Sequence, residues 1–228
     1  MHEITPDKWY SLADIAEVLR YSGIRSADNC SEALIQDAFR AVNQVGEASL
    51  PKAISRECSL TVQDSLCIID GMEFRSSSLS EHLNGCDKAL LFAATLGSGV
   101  DMLIGRYSAV RMSYAVMLQG AATALTELYC DRECAELERE YEKNGYYLYP
   151  RFSPGYGDFP LECQRSLTEH ISAYKYTGIA VSIGGQMTPM KSVTAVIGLS
   201  HRRRSSRGCC ASGKCNDCPN TVCMFRHV

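Results

Sequence analysis

Lys88-Ala89-Leu90-Leu91-Phe92-Ala93-Ala94-Thr95, running directly into Leu96-Gly97-Ser98-Gly99, is the stretch that decides the architecture. A continuous apolar run of strand length, ended by a Gly-rich turn, fits a buried strand, and a helix is expected to follow over Val100–Tyr107. A buried strand needs partners. Upstream, β-rich runs around Ala53–Val62 and Leu66–Ile69 lead to Asp70-Gly71, a two-residue hairpin signal before Met72. Downstream, Ile179–Ser182 and Lys191–Leu199 read as two further strands.

The segments between these runs carry helical spacing. Thr5-Pro6 reads as an N-cap and a first-turn proline, and Trp9, Leu12, Ala13, Ala16 and Leu19 recur along a helix to about Tyr21, stopped by Gly23. A second helix is expected from Ser31, with Leu34, Ala38, Ala41, Val42 and Val45 on one face and Gly46 after it. Ser80–Leu83 reads as a short helical turn, and a helix from Leu161 to about Tyr174 precedes the last strands. The longest helical pattern extends from about Val110 to Lys143. Its first part, YAVMLQGAATALTELYC, is small and apolar on nearly all sides and implies burial; its second, DRECAELEREYEK, is charged and belongs in solvent.

Composition narrows the function classes. The 228 residues are 46% apolar and 21% charged, as in an ordinary folded protein, and the length suits one core with an appendage. Residues 201–228 hold six basic residues against one acid, a net +5, which leaves −8 for residues 1–200. An acidic body with a basic tail is no general nucleic-acid binder. Seven of the twelve cysteines, Cys58 among them, are scattered along the body as small core residues, and the opening residues carry no signal-peptide pattern, so a reducing cytoplasm is expected. No apolar run approaches the roughly 18 residues of a membrane span. The five histidines form no pair at ligand spacing and are read as surface or capping residues.

After Asn144-Gly145 comes YYLYPRFSPGYGDFP, where Pro150, Pro154 and Pro160 remove donors and Gly155 and Gly157 free the backbone, so no regular element is expected. Read from residues alone, Arg151-Phe152-Ser153-Pro154-Gly155-Tyr156-Gly157-Asp158-Phe159-Pro160 is either a surface connection or a rigid loop whose backbone and Arg151 fork meet a carboxylate-bearing ligand. RFSPGYGDFP resembles the RxxPGYxxxP signature of the activation domain of cobalamin-dependent methionine synthase, the module that binds S-adenosylmethionine. The resemblance continues in Met187-Thr188-Pro189-Met190-Lys191-Ser192-Val193-Thr194 and covers about residues 88–200.

The resemblance implies that Arg151 grips the carboxylate of S-adenosylmethionine, that Ser153, Pro154 and Gly155 meet the ligand through their backbone, and that Tyr156 is the motif tyrosine. It implies an acidic partner for the ligand's amino group or ribose, placed at Glu127 to within about one helical turn. The chain has no room for homocysteine, folate or cobalamin modules and no Asp-x-His-x-x-Gly string for cobalt, so it resembles a free-standing activation domain. The corrinoid would then belong to a partner methionine synthase or other corrinoid methyltransferase, with flavodoxin or ferredoxin as electron donor. Little or no activity is expected of the chain alone.

The tail is a separate constellation. Cys210, Cys215, Cys218 and Cys223 form C-x4-C-x2-C-x4-C, spacing that suits thiolate ligation of zinc or an iron–sulfur cluster; an unligated thiol-rich tail or a disulfide knot are the alternatives. The expectation is therefore an α+β fold, a curved antiparallel sheet flanked by helices, with an N-terminal helical stretch, a body of residues 1–200 and a basic Cys-rich metal-binding tail of residues 201–228. The expected function is reactivation of cob(II)alamin on a partner by reductive remethylation from S-adenosylmethionine. The competing reading is a metal-binding interaction or electron-transfer module in which the tail carries the function; a nucleic-acid contact through Arg202–Arg207 is disfavoured by the acidic body.

Overall fold

A computed structural model describes residues 8–24 and 30–203, which fall into two compact units. Thr5, Pro6, Arg204–Arg207 and the tail cysteines lie outside the described residues. A helical unit takes the residues up to Leu50 together with Leu96–Tyr129, and a sheet unit takes Pro51–Thr95 and the residues from Cys130.

The sheet unit is built on β4 (Lys88–Thr95), the continuous apolar run of the sequence. β1 (Lys52–Gln63) pairs with it on one side and β8 (Ser192–Ser200) on the other, both antiparallel, with Lys52 opposite Thr95 and Thr95 opposite Ser192. Outside β1 lie β2 (Leu66–Ile69) and β3 (Met72–Arg75), joined by the expected Asp70-Gly71 turn, and with β5 (Tyr147–Leu148) beside β8 the six-stranded order is β3-β2-β1-β4-β8-β5. Alternation explains why β4 is apolar throughout. Ala89, Leu91 and Ala93 enter a core with Leu79, Leu83, Phe159, Leu167 and Ile171, while Leu90, Phe92 and Ala94 point to the opposite face and are buried as well. The α+β class and the antiparallel sheet are as expected.

Three details of this unit correct the sequence reading. β5 (Tyr147–Leu148) is a two-residue edge strand where no regular element was expected: it pairs with Leu199 and Ser200 just before Pro150 ends the ladder. A further unexpected strand, β7 (Met187–Thr188), pairs with β6 (Ala180–Val181), the expected strand shortened to two residues. The helix expected from Leu161 to Tyr174 is divided into α6 (Cys163–His170) and α7 (Ala173–Thr177) by Ser172, which takes a left-handed φ of 54°. The break brings Leu167, Ile171 and Ala173 into one core, which outweighs the continuity of the helix. The expected turn at Ser80–Leu83 is the end of α3 (Ser77–Leu83), capped by the Ser76 hydroxyl.

In the helical unit, α2 (Glu32–Ala48) begins at the Ser31 cap and buries Ala38, Ala41, Val42 and Val45, the face read from the sequence. Gly46 does not follow the helix but lies inside it, where a Cβ would collide with the Tyr10 ring; the glycine permits a close approach, and the helix stops ahead of Pro51. The first helix is also divided. A 3₁₀ turn at Trp9–Leu12 is followed by α1 (Ile15–Tyr21), because Asp14 caps the second segment by accepting from Ala16 N–H at 2.9 Å. α4 (Ser98–Val110) and the start of α5 (Met112–Glu142) complete this unit, with Val100, Ile104, Leu118, Ala121, Ala122 and Leu125 in its core. The charged end of α5 carries surface pairs such as Arg132–Glu136. No helix among the described residues is long and apolar enough to cross a membrane.

Candidate functional site

The segment from Tyr149 to Pro160 runs along the edge of β8 and then turns back on itself. Tyr149 N–H donates to Gly198 O at 2.8 Å, and Phe152 and Val196 exchange two backbone hydrogen bonds of 2.9 and 2.8 Å. His82 Nε2 lies 2.7 Å from Pro150 O. Arg151, held between these anchors, is buried, and its Nη2 donates to Asp131 Oδ1 at 2.9 Å. A buried guanidinium needs a counter-charge, and Asp131 on α5 supplies it.

Beyond Phe152 the loop closes through its own backbone. Tyr156 N–H donates to Ser153 O at 3.0 Å, Phe159 N–H to Tyr156 O at 2.9 Å, and Gly155 N–H to Phe159 O at 2.8 Å, with Gly155 at φ 94°. Pro154 and Phe159 are buried, Ser153 is half-buried and Tyr156 is half-exposed. Phe152 packs in an aromatic group, 4.9 Å from the His82 ring, 5.8 Å from Tyr156 and 6.2 Å from Phe159.

Asp158 pins the far end of the turn. Its Oδ1 accepts from Ser76 Oγ at 2.6 Å and Ser78 N–H at 2.9 Å, and its Oδ2 accepts from Ser77 N–H at 2.8 Å. The Ser76 hydroxyl first, then the two backbone N–H groups, hold the Asp158 carboxyl well below the usual carboxylate range. Gly157, at φ 56°, leaves no room for a side chain, because a Cβ would stand 2.7 Å from Ser78 Cβ.

The second sequence segment meets the first on β8. Ser192 Oγ donates to Pro189 O at 2.6 Å and stands 2.8 Å from Thr95 Oγ1, while Thr194 Oγ1 donates to Gln164 Oε1 at 3.3 Å. Phe152 bridges Val196, two residues along the same strand. The two motifs, 36 residues apart at Arg151 and Met187 in the sequence, thus share one strand as neighbour and frame.

Of the residues singled out from sequence, Arg151, Ser153, Pro154, Gly155 and Tyr156 form this turn. Glu127 is half-buried in the helical unit; burial pushes the Tyr21 hydroxyl up, Arg20 opposes, and the Glu127 and Glu17 charges add to the rise. Asp131, four residues further along α5, is in contact with Arg151; the sequence reading did not single it out because it opens the charged stretch taken as a solvated face. Its spacing from Glu127 is one helical turn, the only signal that could have found it. Cys210, Cys215, Cys218 and Cys223 lie outside the described residues.

No protein-family model matches the sequence, and no curated protein matches it. Among solved structures the chain is similar to the MetH reactivation domain bound to AdoHcy, with a TM-score of 0.59 and 16% identity over 78% of this chain and 67% of that one. At that identity the likeness establishes a shared fold.

Proposed function

We propose that the chain binds S-adenosylmethionine through the 151–156 turn and supports reductive remethylation of a corrinoid carried by a partner methionine synthase or methyltransferase. The observation that carries the reading is the buried Arg151, fixed by Asp131 and by backbone bonds on both sides, in a fold similar to a reactivation domain with AdoHcy bound. The residues fit such a ligand. A planar fork matches a carboxylate, Gly155 is exposed in the turn, and Tyr156 offers a half-exposed ring for a flat adenine or sugar face.

S-adenosylmethionine, when bound, supplies a sulfonium methyl group; the electron would come from flavodoxin or ferredoxin. The chain's own residues supply position rather than acid, base or nucleophile. Arg151 orients the amino-acid end and the 153–156 backbone the remainder. The tail cysteines Cys210, Cys215, Cys218 and Cys223 are proposed to hold one zinc or iron–sulfur centre apart from this site. Calorimetric titration of the full chain with S-adenosylmethionine tests the reading: one saturable site is expected, and absence of binding refutes it.

A further inference from the structure

A second group of chemistry-bearing side chains gathers elsewhere in the sheet unit. Cys58 on β1, Asp70 in the β2–β3 turn and His170 at the end of α6 come from three elements, and their ligand atoms all lie within 4.8 Å of one another. Asp70 Oδ1 accepts from Ser59 N–H at 2.7 Å and from Ser59 Oγ at 2.9 Å, while Oδ2 stands 3.1 Å from His170 Nε2. Arg56 Nη1 donates to the His170 carbonyl at 2.9 Å and so fixes the helix end that carries the imidazole. The thiol is on the walled side, with Cys58 only 3% exposed; the Asp70 and His170 side chains keep 29% and 24% exposure.

A plain hydrogen-bonded clasp would need only the carboxylate and the imidazole. A Cys–His nucleophile is the wrong arrangement, because the imidazole Nε2 lies against Asp70 Oδ2 while the Cys58 thiol donates to the Arg56 carbonyl at 3.6 Å. Burial first, then Asp70, push the Cys58 thiol up to about 12, so it holds its proton at neutral pH unless a cation replaces that proton.

We propose that Cys58, Asp70 and His170 are a three-ligand site for a divalent transition metal of the zinc class. Thiolate, carboxylate and neutral imidazole together carry two negative charges, which balance a divalent cation, and S, O and N are the donor types zinc takes. Zinc bonds of roughly 2.0–2.3 Å set tetrahedral ligands between about 3 and 4 Å apart, so separations within 4.8 Å need only a small closure. Ser59 supplies the outer shell by holding Oδ1 and turning Oδ2 to the imidazole, as carboxylate ligands require. Binding exchanges the thiol proton for the metal and moves the imidazole proton to Nδ1; water takes the fourth position on the exposed side.

The test uses the full chain with its five tail cysteines, Cys209, Cys210, Cys215, Cys218 and Cys223, changed to serine, so that the tail contributes no thiolate. Titrated with Co²⁺ and back-titrated with Zn²⁺, this chain should bind one equivalent with a thiolate-to-cobalt charge-transfer band of single-thiolate strength. Cys58→Ser should abolish that band, and His170→Gln, at a partly exposed position, should weaken binding at least tenfold with the circular dichroism spectrum unchanged. Ser59→Ala should weaken it about tenfold. Absence of metal binding in the tail-serine chain, or binding indifferent to both Cys58→Ser and His170→Gln, would overturn the proposal.

Discussion

Arg151 and Asp131 meet at 2.9 Å with unequal exposure, the guanidinium side chain 6% accessible and the carboxylate side chain 38%. The acid is therefore the solvent-side half of the pair. In Asp131→Asn the shape is kept and the counter-charge lost, which should lower stability by about 1–2 kcal/mol, less than a fully buried pair would because solvent screens the acid. A bound ligand carboxylate would restore the missing charge. S-adenosylmethionine should then raise Tm by more in Asp131→Asn than in the wild type, and an equal or smaller shift by differential scanning fluorimetry would count against a ligand carboxylate at Arg151.

Arg151→Ala removes the fork itself. The expected loss of S-adenosylmethionine affinity is about 2–4 kcal/mol by calorimetry, with Arg151→Lys recovering only part, because an ammonium cannot make the paired contact. Full affinity in Arg151→Ala would make the turn a scaffold only.

What the sequence disclosed depended on how local the signal was. β4 coincides with KALLFAAT because a strand buried on both faces is a continuous apolar run closed by glycine, and α2 begins at the Ser31 cap for an equally local reason. The Asp70-Gly71 turn carried its own chemistry. β5 and β7 were illegible, since each is a two-residue run beside prolines and glycines and exists only because a neighbouring edge was available. Asp131 and the Cys58–Asp70–His170 group were hidden for the same reason: each gains meaning from a partner that only the folded chain brings near. Ser172 broke a helix that its own propensity would have allowed, and the driving force was burial of the residues on either side.

The Asp158–Ser76 contact gives an acid-limb prediction. The folded-state carboxyl ionises well below its ordinary value of about 4, so the unfolded chain takes up the proton first as pH falls. Stability from this contact is fully present above the ordinary carboxylate range and is lost as pH drops through and below it. Asp158→Asn should lower Tm near neutrality, and the gap to the wild type should narrow between about pH 5 and pH 2. A gap that stayed constant with pH would show that Asp158 acts by packing rather than by charge.

Gly157 and Gly71 both sit at positive φ, but only Gly157 has Ser78 against the place a Cβ would occupy. Gly71→Ala should cost about 1 kcal/mol for the backbone alone. Gly157→Ala should cost about 1–3 kcal/mol from the strained backbone together with the displaced Ser78 contact, and should also weaken S-adenosylmethionine binding, because the turn that presents Gly155 is pinned through Asp158. Equal destabilisation in chemical denaturation, with ligand affinity untouched in both, would separate the turn from the α3 anchor.

The tail is tested independently of the body. Residues 208–224 contain few apolar side chains, so ordering them at about 1–2 kcal/mol per residue needs a source other than a hydrophobic core. Metal–thiolate bonds can supply it, since structural zinc binds with an apparent energy of about 10–16 kcal/mol. Cys218→Ser in an otherwise wild-type chain should therefore release the tail metal of anaerobically purified protein and make the tail sensitive to protease. S-adenosylmethionine affinity should stay at the wild-type value, because none of the turn residues lies in that segment. Unchanged metal content and tail protection in Cys218→Ser, measured by elemental analysis and limited proteolysis, would leave the four cysteines as a thiol-rich extension and return the +5 charge of residues 201–228 as the only feature of the tail able to recruit an acidic partner.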